Sequence, residues 1–182
     1  STDQRGLSIL PIHRLLKLDK DWDINGFFKS LKKYFDVERI KDKEKFFFLL
    51  AKSGFSEHVI GMYKDKNYWL LRLKNIRILD KAMSDKPKEY RSLDVSILNQ
   101  LIFRDILGCS PEDNEILRYS PNPEEFIEAV NEDPSTIAFF LNPVKIDDIL
   151  GVALRGDKMP PKSTYFYPKV LSGLVIHKHE AV

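Results

Sequence analysis

The hydrophobic period of this chain switches more than once, and that limits the folds open to it. Between Ile24 and Phe35 the apolar residues Ile24, Phe27, Phe28, Leu31 and Phe35 recur every three or four positions. That spacing marks an amphipathic helix, with Asp23 placed to cap its first turn. A second helix is predicted from Asp42 to about Lys52, with Phe46, Leu49 and Leu50 inward and Gly54 as its stop. The period then shortens. Val59–Tyr63 and Tyr68–Leu73 are aromatic, β-branched or leucine-rich, and the polar Lys64–Asn67 between them predicts a hairpin with a four-residue loop.

The same reading extends along the rest of the chain. Leu7–Leu18 is extended, and Pro11 confines it to a sheet edge or a break. Ile76–Met83 fits a short helix ahead of a polar loop. Asp94 is placed to cap a helix carrying Leu98, Leu101, Ile102 and Ile106 on one face, stopped by Gly108. Asn122 at the cap, Pro123 at the first helical position and Glu125 at the capping-box position open another. Glu115–Ser120 and Ser135–Asn142 read as strands, and Lys145–Ala153 as a helix with Ile146, Ile149, Leu150 and Ala153 inward. Leu171–His179 closes as a strand. Elements of both types in irregular order predict an α+β fold. The expected architecture is a single domain over residues 1–182, a mixed or antiparallel sheet with about five helices packed on it.

Composition narrows the function classes. The net charge is only +2, which speaks against a nucleic-acid or membrane partner recruited by bulk charge. The single cysteine, Cys109, excludes an internal disulfide framework and a cysteine zinc site, in keeping with a cytoplasmic protein. Apolar runs such as Phe46–Leu50 are far too short to span a bilayer.

The stretch Asp157–Val175 is the most unusual in composition. It combines Pro160, Pro161 and Pro168 with Lys162, Ser163, Thr164, Tyr165, Tyr167 and Lys169. A Lys-Ser/Thr pair invites comparison with a phosphate loop, but such a loop needs glycine directly before the lysine. Pro160 and Pro161 remove two backbone donors there and fix two φ angles. What is left is a stiff segment presenting two cations and two hydroxyls, a set suited to an anion such as phosphate or carboxylate. The alternative is that the prolines route a crossing chain while Tyr165 and Tyr167 pack or form an interface.

His13 and Arg14 follow the Pro11 break and could supply a general base and an anion clamp. Alternation along a strand sends the two side chains to opposite faces, so one site can receive only one of them. His177 and His179, with Glu180 adjacent, share a face of the last strand but lack an evident third metal ligand. No metal site is expected from these residues.

Gly156–Ile176 resembles a C-terminal signature of the bacterial and archaeal family catalogued as domain of unknown function 1015. There a run close to Met-Pro-x-Lys-Ser-Thr-Tyr-Phe-Tyr-Pro-Lys precedes a Gly-Leu-Val strand. Ile9–Leu16 is similar to that family's Leu-Pro-Thr-His-Arg run, with Ile12 in place of the threonine. Ser92–Ile102 resembles its Leu-Asp-Val helix start, and Ala138–Ala153 its Asn-Pro helix opening. The family's Gly-His-His-Arg-Tyr motif is not found in this sequence.

The resemblance implies a C-terminal piece of a chain about twice as long, acting with an N-terminal half. Some relatives are linked to phosphorylation of free serine with ATP, ADP or pyrophosphate, so the resemblance further implies a small-molecule kinase using such a donor with Mg²⁺. Lys162, Ser163, Thr164 and Lys169 would then bind donor phosphate or substrate carboxylate, and His13 or Arg14 would lie near the catalytic seam. A small-molecule substrate is the expected partner. The other expectation is a non-catalytic structural or dimerising domain, with Tyr165 and Tyr167 at a homodimer interface.

Overall fold

Two strands of this protein, Val59–Lys64 and Thr136–Phe140, are buried at every residue, so helices must cover them on both sides. The computed structural model, which describes residues 6–19 and 22–169, arranges them that way. Strands β1 (Ser8–Leu10), β2 (His13–Lys17), β3 (Phe35–Ile40), β4 (Val59–Lys64), β5 (Asn67–Leu73), β6 (Leu117–Ser120), β7 (Thr136–Phe140) and β8 (Tyr165–Tyr167) are interspersed with helices in irregular order. Six of them form an antiparallel sheet in the order β3-β5-β4-β7-β2-β6, and β1 pairs with β8 in a separate two-stranded ribbon. The fold is α+β.

Successive residues point to opposite faces of a strand, and the two cores follow from that. Leu15, Tyr63, Leu70, Ala138 and Phe140 face helices α2 (Lys43–Ser53) and α6 (Pro123–Glu132), whose Phe46, Leu50, Phe126 and Val130 are buried against them. Leu16, Met62, Leu71, Ile137 and Phe139 face α1 (Ile24–Tyr34) and the helix that begins as α5 (Asp94–Ile97) and continues in π-helical form over Leu98–Ile106. Short helices α3 (Ile78–Ala82) and α4 (Lys88–Arg91) and the longer α7 (Ile146–Leu154) complete the set.

Most predicted elements are present, and the differences have local physical causes. Pro11 breaks the first run as expected, but β2 lies inside the sheet between β7 and β6, because its own residues all keep their N–H groups. The hairpin loop has two residues, not four. Asp65 and Lys66 take φ of 49° and 57°, the paired left-handed conformation of a type I′ turn, and Lys64 and Asn67 join the ladder. Strand β3 escapes a periodicity reading because Asp36, Glu38 and Arg39 make it polar, as befits an edge.

Asp23, Asp42 and Asn122 cap their helices through backbone amides of Asn25, Lys45 and Glu124. Glu125 does not close a capping box, since Arg118 holds its carboxylate at 3.0 Å. Asp94 is not a cap either: Leu93 occupies that position, and the Asp94 carboxylate is engaged elsewhere. Gly54 ends α2 in right-handed geometry, φ −62°, so its need for glycine is spatial. A Cβ there would lie 2.2 Å from Asn142 Nδ2.

Helix α7 is rotated from its expected register. Val152 is its buried residue, while Ile146, Leu150 and Ala153 face outward. The helix rests on α4 rather than on the sheet, with Gly151 against Glu89 and Arg155 paired to the same carboxylate at 3.1 Å. A short polar helix offers no apolar surface for a broad stripe. The predicted strand Leu171–His179, with His177, His179 and Glu180, lies outside the described residues.

Candidate functional site

Arg14 is 1% exposed, a charge placed where a strand of this kind would ordinarily carry leucine. It is held by three features. Its guanidinium donates to the Ile12 carbonyl and, at 2.9 Å, to the Lys162 carbonyl, and it lies 5.6 Å from the centre of the Tyr119 ring. Burial lowers its pKa to about 10, so it remains a cation at neutral pH. Arg14 thereby fastens a segment far away in sequence to the central sheet. Lys162 itself has φ of +54°, a conformation uncommon for a side chain larger than glycine. In that conformation its carbonyl serves Arg14 while its side chain remains exposed.

The Lys162–Thr164 strap has a cavity on either side. Lys162 and Thr164 line an open groove of about 810 Å³ together with Lys169, Tyr165, Tyr119 and Ser120. The Lys169 ammonium lies 4.8 Å from the Tyr165 ring centre, within cation–π range. Ser163, buried between the exposed Lys162 and the half-buried Thr164, lines a separate cleft instead. The four residues of the anion-binding expectation are therefore divided, three in the groove and one behind it. Tyr165 is half-buried and pairs through its backbone with Leu10, whereas Tyr167 is 57% exposed.

His13 goes to the opposite face from Arg14, as alternation requires, and joins neither cavity. Its Nδ1 accepts from the Leu141 amide at 3.3 Å, and its ring meets Phe140 edge-on at 5.2 Å between centres. Burial, and secondarily the neighbouring Arg14 charge, lowers its pKa to about 4. The imidazole is therefore neutral, with its proton on Nε2 and its lone pair given to the backbone. The geometry makes His13 a support for β7 and the residues that follow it.

The cleft behind the strap holds residues that sequence reasoning missed. His58 Nδ1 lies 2.9 Å from Asp94 Oδ1, and Lys145, Asp148 and Asn142 line the same space. Burial pushes the Asp94 carboxyl above its ordinary range, and the hydrogen bond to His58 pulls it partly back. Nothing local signals this pair, because 36 residues separate its members and Asp94 sits where a cap would.

The groove's donor set fits phosphate oxygens. Its lining contains ammonium and hydroxyl groups and no carboxylate among the described residues, so these side chains would not themselves hold Mg²⁺. Residues 1–96 match the family described as a protein of unknown function, DUF1015. This chain belongs to that family. The matched span includes His13, Arg14, His58 and Asp94, and ends before the strap.

No curated protein matches the DUF1015 chain. Among solved structures it is similar to a free serine kinase mutant in complex with AMP, at 13% identity and a TM-score of 0.47, covering 91% of this chain and 55% of that one. A complex of a mutant of that enzyme with ADP gives 11% identity, the same coverages and a TM-score of 0.45. A conserved hypothetical protein from Pyrococcus furiosus gives 13% identity and a TM-score of 0.45, covering 88% and 56%. The chain thus spans little more than half the length of these proteins. No described helix is long and apolar enough to cross a membrane.

Proposed function

We propose that this chain forms the anion-holding part of a phosphotransferase acting on a small hydroxylic substrate, free serine, with ATP, ADP or pyrophosphate as donor. In this reading a further stretch of a longer protein completes the donor site. One observation carries the local assignment: the groove is lined by two lysines, Lys162 and Lys169, and by no carboxylate among the described residues. Phosphoryl transfer depends mainly on positioning and charge neutralisation, which this arrangement supplies. The two ammoniums would neutralise phosphate oxygens, Thr164 and Ser120 would donate hydrogen bonds, and Tyr119 and Tyr165 offer faces to a planar base. Arg14 fixes the strap, so little order must be gained on binding.

Calorimetric titration of the chain with ADP and with pyrophosphate tests the groove. Binding that falls at least about tenfold in Lys162→Ala/Lys169→Ala supports it, a loss of about 1.4 kcal/mol or more. Equal affinity in that double variant overturns it. Serine-dependent consumption of the donor by the longer protein tests the activity.

A second reading, a structural or dimerising domain, draws on the exposure of Phe166 and Tyr167 on the ribbon. It predicts a concentration-dependent dimer that Tyr167→Ser weakens, measured by light scattering.

A further inference from the structure

The cleft behind the strap is small and carries charges of both signs. Its volume is about 250 Å³. That is room for a molecule the size of an amino acid. Three backbone segments converge on it: the turn after α2, the start of α5 and the link from β7 to α7.

Together these segments bring an imidazole, an ammonium and carboxylates. The first brings His58, whose Nδ1 is held by Asp94, so Nε2 is the ring nitrogen left for a ligand. The His58 carbonyl is fixed by the Leu73 amide at 2.9 Å, which sets the ring's origin on the sheet. The link to α7 brings Lys145 and, in the first turn of the helix, Asp148, which has no ion-pair partner among the described residues. Lys145 reaches across to the Phe55 carbonyl at 3.3 Å, a single long bond that leaves other ammonium protons available. Lys145 and Asp148 both act on Asp94 through space, with opposite sign, which places the charges in one neighbourhood. The strap closes the far wall with Ser163, which is 6% exposed.

We propose that this cleft binds a small hydroxylated amino acid, with its carboxylate on Lys145, its ammonium on Asp148 and its hydroxyl against His58 Nε2. The mixed charge selects a zwitterion, and a histidine oriented by a carboxylate selects a group with a proton to share. Choosing L-serine as the probe rests on the phosphotransferase reading; the cleft's chemistry does not.

The experiment is titration of the ¹⁵N-labelled chain with L-serine, L-alanine and ethanolamine, following the His58 ring resonances by NMR. L-Serine is expected to shift them saturably. L-Alanine, which lacks the hydroxyl, and ethanolamine, which lacks the carboxylate, are each expected to bind about tenfold more weakly. Lys145→Ala is expected to lose L-serine by about tenfold or more, and His58→Gln to erase the preference over L-alanine. Lys145 is exposed, so its variant keeps the fold. Equal binding of L-serine and L-alanine without a shift at His58 overturns the proposal. So does absence of L-serine binding in a chain that still binds ADP, and that result leaves the groove intact. L-Serine binding without ADP binding overturns the groove and supports the cleft.

Discussion

The groove and the cleft share Ile12 and the Lys162–Thr164 strap, yet they are built on opposite electrostatic plans. The groove is wide and is lined by lysines with no carboxylate among the described residues. The cleft is narrow and sets Lys145 against carboxylates. Its lining comes from loops that the sheet and helices hold apart, while the groove's comes largely from one proline-stiffened segment. On the two proposed assignments, one strap would serve two ligand chemistries by alternating its side chains. Lys162 and Thr164 turn one way and Ser163 the other.

The largest effect is expected from cutting the shared anchor. Arg14→Met leaves the Ile12 and Lys162 carbonyls without their donor and removes the contact over Tyr119. We expect a loss of about 3–5 kcal/mol in urea unfolding, and a joint fall in affinity at groove and cleft. A joint loss ties both sites to one strap, whereas survival of either affinity uncouples them.

Acid should strike the cleft side first. The His13 pKa in the folded chain is about 4, below its ordinary 6.5. A depressed histidine contributes stability that is fully present above about pH 6.5 and is lost as the pH falls towards 4. The shift corresponds to roughly 3 kcal/mol. Because His13 holds the Leu141 amide beside Asn142, the cleft wall is the part that loosens. Urea midpoints measured between pH 6.5 and 4 should fall, and His13→Gln should flatten that dependence.

Two smaller changes separate the cavities. Gly54→Ala drives a Cβ into Asn142, whose amide otherwise donates to Leu50 O at 3.0 Å. The expected cost is about 2 kcal/mol by thermal unfolding, with L-serine binding weakened and ADP binding kept. Lys162→Ala alone should change stability by no more than about 0.5 kcal/mol, since its side chain is exposed. Its effect should appear in ADP titrations, with L-serine titrations unchanged.

What could be read from the sequence follows from how local the causes are. Helices α1 and α2 were legible because a stripe such as Phe27 and Leu31 and a cap such as Asp42 lie within a few residues of one another. The opposed faces of His13 and Arg14 were legible for the same reason. Strand β3 was not, because its polar residues answer to partners such as Arg72, far along the chain. The outward face of α7 depends on what it rests against, and sequence alone does not name α4. The groove was partly legible, since Lys162, Thr164 and Lys169 lie in one segment. The His58–Asp94 pair was not, because only the folded sheet brings together a turn after α2 and the start of α5.

The β1–β8 ribbon has a kinetic consequence. Two short strands outside the main sheet hold each other weakly, and an isolated pair is marginal in water. Amides of β4 and β7 sit in the interior of a doubly covered sheet and can exchange with solvent only when the domain opens widely. Amides of the ribbon can exchange by peeling away from Arg14's side of the molecule while both cores stay closed. A ligand seated against Tyr165 in the groove therefore has a slow clock to read it by: deuterium uptake along the ribbon should slow on binding, while uptake in β7 stays as it was.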